Sequence, residues 1–209
     1  GRKLTCSDDQ CDFEKHVYNS CRNRFCPKCQ FLARAKWIEK RSEELLPCQY
    51  FYVVFTMPSE LKPLMLANQK LCYNLLFKAA AETLKEVAAN PKNLGAEIGF
   101  IGILHTWAQN LTFHPHVHFL VPGGGLAEDK SKWTPCKQNY LLPVKVLSRV
   151  FRAKLLGSLE KAFDQEELRF SGQIEFLSSY ANFKDLLLIC ASKEFVVDSR
   201  KPFAGPSQI

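Results

Sequence analysis

The sequence predicts an α+β fold: an antiparallel sheet with helices packed on it, preceded by a small cysteine-rich segment that a metal holds together. Three observations predict it. Two apolar runs, Ala96–Trp107 and His114–Val121, are joined by a short polar stretch and read as a central hairpin. Segments with helical spacing of apolar residues lie on both sides of that hairpin. Five of the nine cysteines crowd the first thirty residues, where no apolar period is long enough for a core.

The elements follow in chain order. Cys26-Pro-Lys-Cys29 is a knuckle, two thiols two residues apart, a spacing that lets both sulfurs turn onto one metal ion. Cys6 and Cys11 form the partner pair with a wider gap. Knuckle, hairpin, knuckle is the layout of a zinc ribbon, and a segment so poor in apolar surface takes its folding energy from the metal. Five cysteines compete for four places. Cys6, Cys11, Cys26 and Cys29 are the first assignment, with Cys21 as the alternative that replaces Cys6, and His16 as a weaker candidate. The scattered Cys48, Cys72, Cys136 and Cys190 read as small core residues. Clustered thiols of this kind point to metal in a reducing cytoplasm rather than to a disulfide framework.

Phe31–Leu46 has helical spacing and is closed by Pro47. Gln49–Met57 is aromatic and β-branched, so it reads as a strand stopped by Pro58. Leu61 to Ala89 reads as one short and one long helix. After the central hairpin, "PGGG" breaks the second strand, and "NYLLPV" reads as a brief third strand. Val146–Phe163 is an amphipathic helix, "SYANFKDLLLICAS" a further helix, and "EFVVDS" a last strand. There is no internal repeat and no low-complexity segment. The boundary falls after residue 46: a zinc-ribbon domain with its following helix over 1–46, and a sheet domain over 47–209.

Net charge is +7 and the isoelectric point about 8.9, which favours an anionic partner. Arg22, Arg24, Lys28, Arg34, Lys36, Lys40 and Arg41 cluster, although Glu39, Glu43 and Glu44 lie among the later ones. Arg149, Arg152 and Lys154 form a second basic group on the later helix. No apolar run approaches the roughly 20 residues a membrane helix needs, and none of these residues reads as a signal peptide. The chain begins with Gly1 and reads as a piece of a longer protein.

Three of the five histidines fall within "HPHVH". On a strand, His114, His116 and His118 share one face, while Val117 and Phe119 point to the other. His-hydrophobic-His inside an apolar strand is the pattern of a shared divalent ion. Two imidazoles leave most coordination positions open, which suits a catalytic ion. His105, on the preceding strand, is the first choice of third ligand, with Gln109 and His114 as alternatives. The register of the hairpin decides between them, because a slip of one residue turns His105 to the opposite face.

These motifs carry a resemblance. "LHTWAQNLTF" followed by "HPHVHFLVPGGGL" resembles the HUH nuclease core of bacterial rolling-circle transposases of the insertion-sequence-91 type. "YNSCRNRFCPKCQFLARAKWIEKRSEELLP" resembles their N-terminal zinc-binding segment, and "YFYVVFTMPSEL", "LPVKVLSRVFRAKLL" and "KPFAGPSQ" match in the same order. The resemblance implies an antiparallel HUH sheet with His116 and His118 as the pair that holds magnesium or manganese. It implies single-stranded DNA as partner, a bacterial cytoplasm as the setting, and nicking and strand transfer through a tyrosine that leaves a 5′-phosphotyrosyl link. That tyrosine sits on a helix after "KPFAGPSQ", beyond Ile209. Tyr18, Tyr50, Tyr52, Tyr73, Tyr140 and Tyr180 do not match its motif and read as structural. The wide Cys6–Cys11 gap departs from the family's two-residue spacing. The chain is therefore expected to bind metal and DNA without cleaving. The alternatives are a non-catalytic, zinc-dependent DNA-binding protein and a hydrolase that uses His116 and His118 on a small substrate.

Overall fold

The computed structural model describes residues 1–8, 10–17, 21, 23, 26–200, 202 and 203. The chain forms two compact units, Gly1–Leu46 and Pro47–Ile209.

In the first unit, strands β1 (Arg2–Thr5) and β2 (Glu14–Val17) pair antiparallel, Arg2 opposite Val17 and Thr5 opposite Glu14. The Cys6 amide extends the ladder to the Phe13 carbonyl at 3.0 Å. Helix α1 (Pro27–Glu43) starts inside the knuckle, four residues before the predicted Phe31. Cys26 is its N-cap and Pro27 its first residue, where a fixed φ and a missing N–H cost nothing. Cys29 therefore lies in the first turn, and both sulfurs sit at the positive end of the helix. Among the described residues of this unit none is buried. Phe31, Leu32, Trp37 and Ile38 are all exposed.

The second unit is built on a four-stranded antiparallel sheet in the order β4-β5-β3-β8. Its strands are β3 (Tyr50–Thr56), β4 (Ile101–Trp107), β5 (Phe113–Pro122) and β8 (Val196–Ser199). Strand β5 is hydrogen-bonded on both edges, to β3 and to β4. Alternation divides the faces cleanly. Phe51, Val53 and Phe55 of β3 and Val117, Phe119 and Val121 of β5 are fully buried. Tyr52, Val54, Thr56, His116, His118 and Leu120 on the other face are half-buried.

Two long helices cover the buried face. Helix α2 (Lys62–Ala67) leads into α3 (Gln69–Ala89), whose stripe Cys72, Leu76, Ala79, Ala80, Thr83, Leu84, Val87 and Ala88 is buried. Phe77 of α3 packs 5.5 Å from Phe119. Helix α4 (Val144–Asp164) sets Phe151 edge-on to Phe55 at 5.0 Å. Burying such a ring stabilises the fold by about 1.5–3 kcal/mol. Helix α5 (Tyr180–Ala191) follows a 3-10 turn over Gly172–Ser178 that the sequence did not signal.

Two predicted strands are corrected. The run predicted from Ala96 enters the sheet only at Ile101; Ala96 and Ile98 are buried outside it, and Glu97 bridges Leu126 instead. "NYLLPV" is a turn with Asn139 at φ 57°, not a strand, and its Leu141 and Leu142 fill the core. In both places apolar content reported burial, not pairing. The glycine run predicted as a simple break carries a small hairpin, β6 (Gly124–Leu126) with β7 (Trp133–Pro135). Gly125 is required there, since a Cβ would lie 2.4 Å from the Glu97 carbonyl oxygen. Of the scattered cysteines, Cys72 and Cys190 are fully buried, whereas Cys48 and Cys136 are half-buried.

Candidate metal centres

The register of β4 and β5 places His105 directly opposite His116, and Ile103 opposite His118. All three imidazoles share the half-open face. Ring centroids are 5.4 Å apart for His105–His116, 4.1 Å for His105–His118 and 4.6 Å for His116–His118. One ring nitrogen from each lies within 4.8 Å of the others.

Second partners fix how these rings present themselves. His116 Nδ1 is 2.6 Å from the His114 carbonyl oxygen. A carbonyl only accepts, so Nδ1 carries the proton and Nε2 keeps a free lone pair. His118 Nδ1 is hydrogen-bonded to the Tyr52 hydroxyl, and its Nε2 is buried without a hydrogen-bond partner. Burial pushes the His118 pKa down to about 4, reinforced by positive charge on His105, His116 and Arg200. Burial lowers His105 as well, with His116 adding to it. Both shifts favour the uncharged imidazole, the form that binds metal, at His105 and His118. A buried, orphaned ring nitrogen beside two more imidazoles fits a divalent cation that keeps open coordination positions.

His114 does not join the group of three. Its carbonyl holds His116, and burial followed by the Lys62 cation lowers its own pKa. Gln109 is exposed in the turn between β4 and β5. Trp107, at the end of edge strand β4, is exposed, and Phe113 turns inward against Tyr73 at 6.5 Å. Tyr52, Lys62 and Arg200 are the residues sequence reading missed. Tyr52 and Arg200 reach the site through pairing of β3 with β5 and with the chain after β8, and no local pattern announces either pairing.

In the first unit, Cys21, Cys26 and Cys29 offer sulfurs within 4.8 Å of one another, with Cys21 and Cys29 Sγ 3.5 Å apart. Cys21, the alternative in the sequence reading, therefore stands with the knuckle. The Asn23 amide lowers the Cys21 pKa, but the adjoining Cys26 and Cys29 thiols outweigh it and the net shift is upward. Cys6 and Cys11 adjoin each other outside that group. The Asp8 amide, then the Cys11 thiol, lowers the Cys6 pKa. His16 is exposed on β2 and outside the group.

The basic candidates divide. Arg22 and Arg24 lie outside the described residues. Lys28, Arg34 and Lys36 are exposed on α1. Arg149 and Arg152 line a groove with Lys145, Ser148, Ser192 and Glu194, and Arg152 donates to the Lys193 carbonyl at 3.1 Å. Lys154 is committed elsewhere, 2.8 Å from Glu86 and 3.8 Å from Glu82, and Glu86 foremost raises its pKa. Helix α4 packs on the sheet face opposite the histidines. A helix is about 10 Å across, so no single phosphate touches both the α4 groove and the histidine cluster.

Among the described residues, no helix is long and apolar enough to cross a membrane. A family model described as "Putative transposase" matches residues 99–209, and one described as "Transposase zinc-binding domain" matches residues 1–57. The chain is 50% identical over 201 residues to "Putative transposase y4qJ" of Sinorhizobium fredii, covering 96% of this chain and 50% of that protein. It is 39% identical over 127 residues to the transposase for insertion sequence element IS801 of Pseudomonas savastanoi pv. phaseolicola, covering 61% of this chain and 30% of that protein. The chain thus spans about half the length, or less, of these relatives. Among solved structures it is similar to the conjugative relaxase TrwC in complex with oriT DNA. The metal-bound form has a TM-score of 0.45 at 16% identity, over 54% of this chain and 43% of that one. The metal-free form has a TM-score of 0.43 at 17% identity, over 52% and 43%. With one family model spanning more than half of its length and a zinc-binding model before it, the chain belongs to the transposases of the insertion-sequence-91 type.

Proposed function

We propose that this chain is the zinc-binding and metal-holding part of a DNA transposase that nicks and transfers single strands. The observation that carries it is the cluster of His105, His116 and His118, in which the His118 Nε2 is buried and has no hydrogen-bond partner. His116 and His118, with His105 as third ligand, hold a magnesium or manganese ion. That ion supplies charge to polarise a phosphodiester oxygen and ease departure of the leaving oxygen. The protein's part is to hold three imidazoles on one face and to bring a phosphate to them. Lys62 and Arg200 add positive charge beside the histidines. Exposed Trp107 offers a stacking surface for a base of the same strand.

The nucleophile in this reading is the tyrosine that the family carries after the "KPFAGPSQ" segment, outside this chain. The phenolate attacks phosphorus, the 5′-phosphotyrosyl bond forms and the 3′ oxygen leaves with a proton. In the first unit, zinc binds Cys21, Cys26 and Cys29, with Cys11 as fourth ligand, and a reducing bacterial cytoplasm keeps these thiols available. Lys28, Arg34 and Lys36 on α1, together with Arg22 and Arg24, and the Arg149–Arg152 groove on α4 hold DNA by its phosphates.

The test is fluorescence anisotropy of a single-stranded oligonucleotide with the zinc-loaded chain, with and without manganese. Tighter binding with manganese in wild type, lost in His116→Ala/His118→Ala, is the expected result. Binding indifferent to manganese and to both substitutions supports a zinc-dependent DNA-binding protein instead. A covalent DNA adduct of this chain overturns the placement of the nucleophile.

A further inference from the structure

Of the two clustered histidines on β5, His116 is steadied by its own strand, through the carbonyl of His114. His118 is steadied from elsewhere. Its Nδ1 meets the hydroxyl of Tyr52, 66 residues earlier in the chain. The two side chains stand on neighbouring strands and on one face. Val54 is the residue directly opposite His118, and Tyr52 is the next residue of β3 on that face. The rings lie 5.1 Å apart, tilted by 40°.

A phenol both donates and accepts, so two arrangements are open. In one, Tyr52 donates to Nδ1 and the His118 proton sits on Nε2. That leaves a buried N–H with no acceptor in hydrogen-bond range. In the other, Nδ1–H donates to the phenolic oxygen, and Nε2 faces the cluster with a lone pair. Only the second gives the buried nitrogen something a cation satisfies. It also repeats what the His114 carbonyl imposes on His116.

We propose that Tyr52 is a positioning residue for the histidine centre: its phenolic oxygen accepts the His118 Nδ1 proton, fixing the ring and turning the Nε2 lone pair toward the metal. The proposal rests on the metal reading of the cluster. Tyr52 is not the nucleophile in this role, and its hydroxyl keeps its proton throughout. A second partner of this kind sets the tautomer and orientation of a ligating histidine, and its loss typically weakens metal affinity about 10–100-fold.

The experiment uses the zinc-loaded full chain, titrated with manganese while free ion is followed by electron paramagnetic resonance. Tyr52→Phe keeps the ring and removes one oxygen. It is expected to bind manganese about 10–100-fold more weakly with an unchanged melting temperature before manganese is added. Nitrogen-15 NMR of the imidazoles reads the tautomer in wild type, without any substitution. His118 protonated at Nδ1, with that proton exposed to rapid exchange in Tyr52→Phe, is the expected result. His118 protonated at Nε2 in wild type overturns the proposal. So does a Tyr52→Phe affinity within about threefold of wild type, well short of the loss a ligand-orienting partner produces. Failure of wild type to take up manganese at all overturns the metal reading and the role of Tyr52 with it. Uptake by wild type with an unaffected variant overturns the role of Tyr52 alone.

Discussion

His105 stands directly opposite His116 across the β4–β5 pair, and a shift in register separates it from the next pair, Trp107 with Phe113. The bulge lets the strands stay in step over the histidines while the hairpin end turns Phe113 toward α3. If His105 is the third ligand, His105→Ala weakens manganese binding by at least about tenfold, equivalent to 1.4 kcal/mol. Zinc content stays unchanged. Elemental analysis with a manganese titration checks both, and an unaltered manganese affinity removes His105 from the site.

The depressed pKa of His118 makes an acid-side prediction. Its folded value is about 4 against an ordinary 6.5, so between those values the unfolded chain binds a proton that the folded chain refuses. Stability without added divalent ion therefore falls as pH drops from 6.5 toward 4. His118→Ala removes this contribution, and its denaturation midpoint declines less over the same window. Urea melts at several pH values measure the difference. Equal slopes in the two proteins show that His118 is not held neutral.

Removing zinc affects one unit only. No described residue of Gly1–Leu46 is buried, so no core remains when the thiolates are released. A strong chelator, or Cys21→Ser with Cys29→Ser, abolishes the amide dispersion of this unit in NMR spectra and leaves the signals of the second unit in place. Retention of both sets shows that the first unit folds without metal.

DNA binding separates the basic residues. Arg149→Ala with Arg152→Ala lowers single-strand affinity and flattens its salt dependence by about one unit per lost phosphate contact. Lys154→Ala changes neither, because Glu86 and Glu82 already neutralise it. Trp107→Ala costs about 1–3 kcal/mol if a base stacks there. Anisotropy titrations at several salt concentrations test all three.

Gly102 of β4 lies close under two aromatic rings. A Cβ there would lie 2.6 Å from the Phe77 ring and 2.7 Å from that of Phe119. Gly102→Ala is expected to destabilise the second unit by about 1–3 kcal/mol, the usual cost of overpacking. An unchanged melting midpoint shows that the two rings yield without strain.

Strand periodicity made much of this legible. "HPHVHFLV" shows which residues of β5 face the core, and the proline and charge punctuation locates the long helices. Pairing was not legible. The side on which His105 falls depends on a register, and the tie between Tyr52 and His118 crosses 66 residues. Ala96–Phe100 and Leu141–Leu142 look like strand from apolar content alone, yet what they supply is buried side chains beside the sheet: Ala96, Ile98, Leu141 and Leu142. Among the cysteines, spacing identified the knuckle but could not rank Cys21 against Cys6. The structure sets Cys21 Sγ 3.5 Å from Cys29 Sγ, a proximity that spacing does not reveal.

Strand β5 is bonded along both edges, whereas β4 lies at the margin of the sheet. The amides around His116 and His118 are expected to be better protected from exchange than those of an edge strand, which frays at a smaller free-energy cost. Two of the clustered histidines thus sit on a strand held from both sides, and the third on a strand held from one. Breathing of β4 carries His105 away and back without disturbing the other two imidazoles. If these imidazoles hold a metal, its exchange is expected to proceed one arm at a time, at a rate set by the fraying of a single strand.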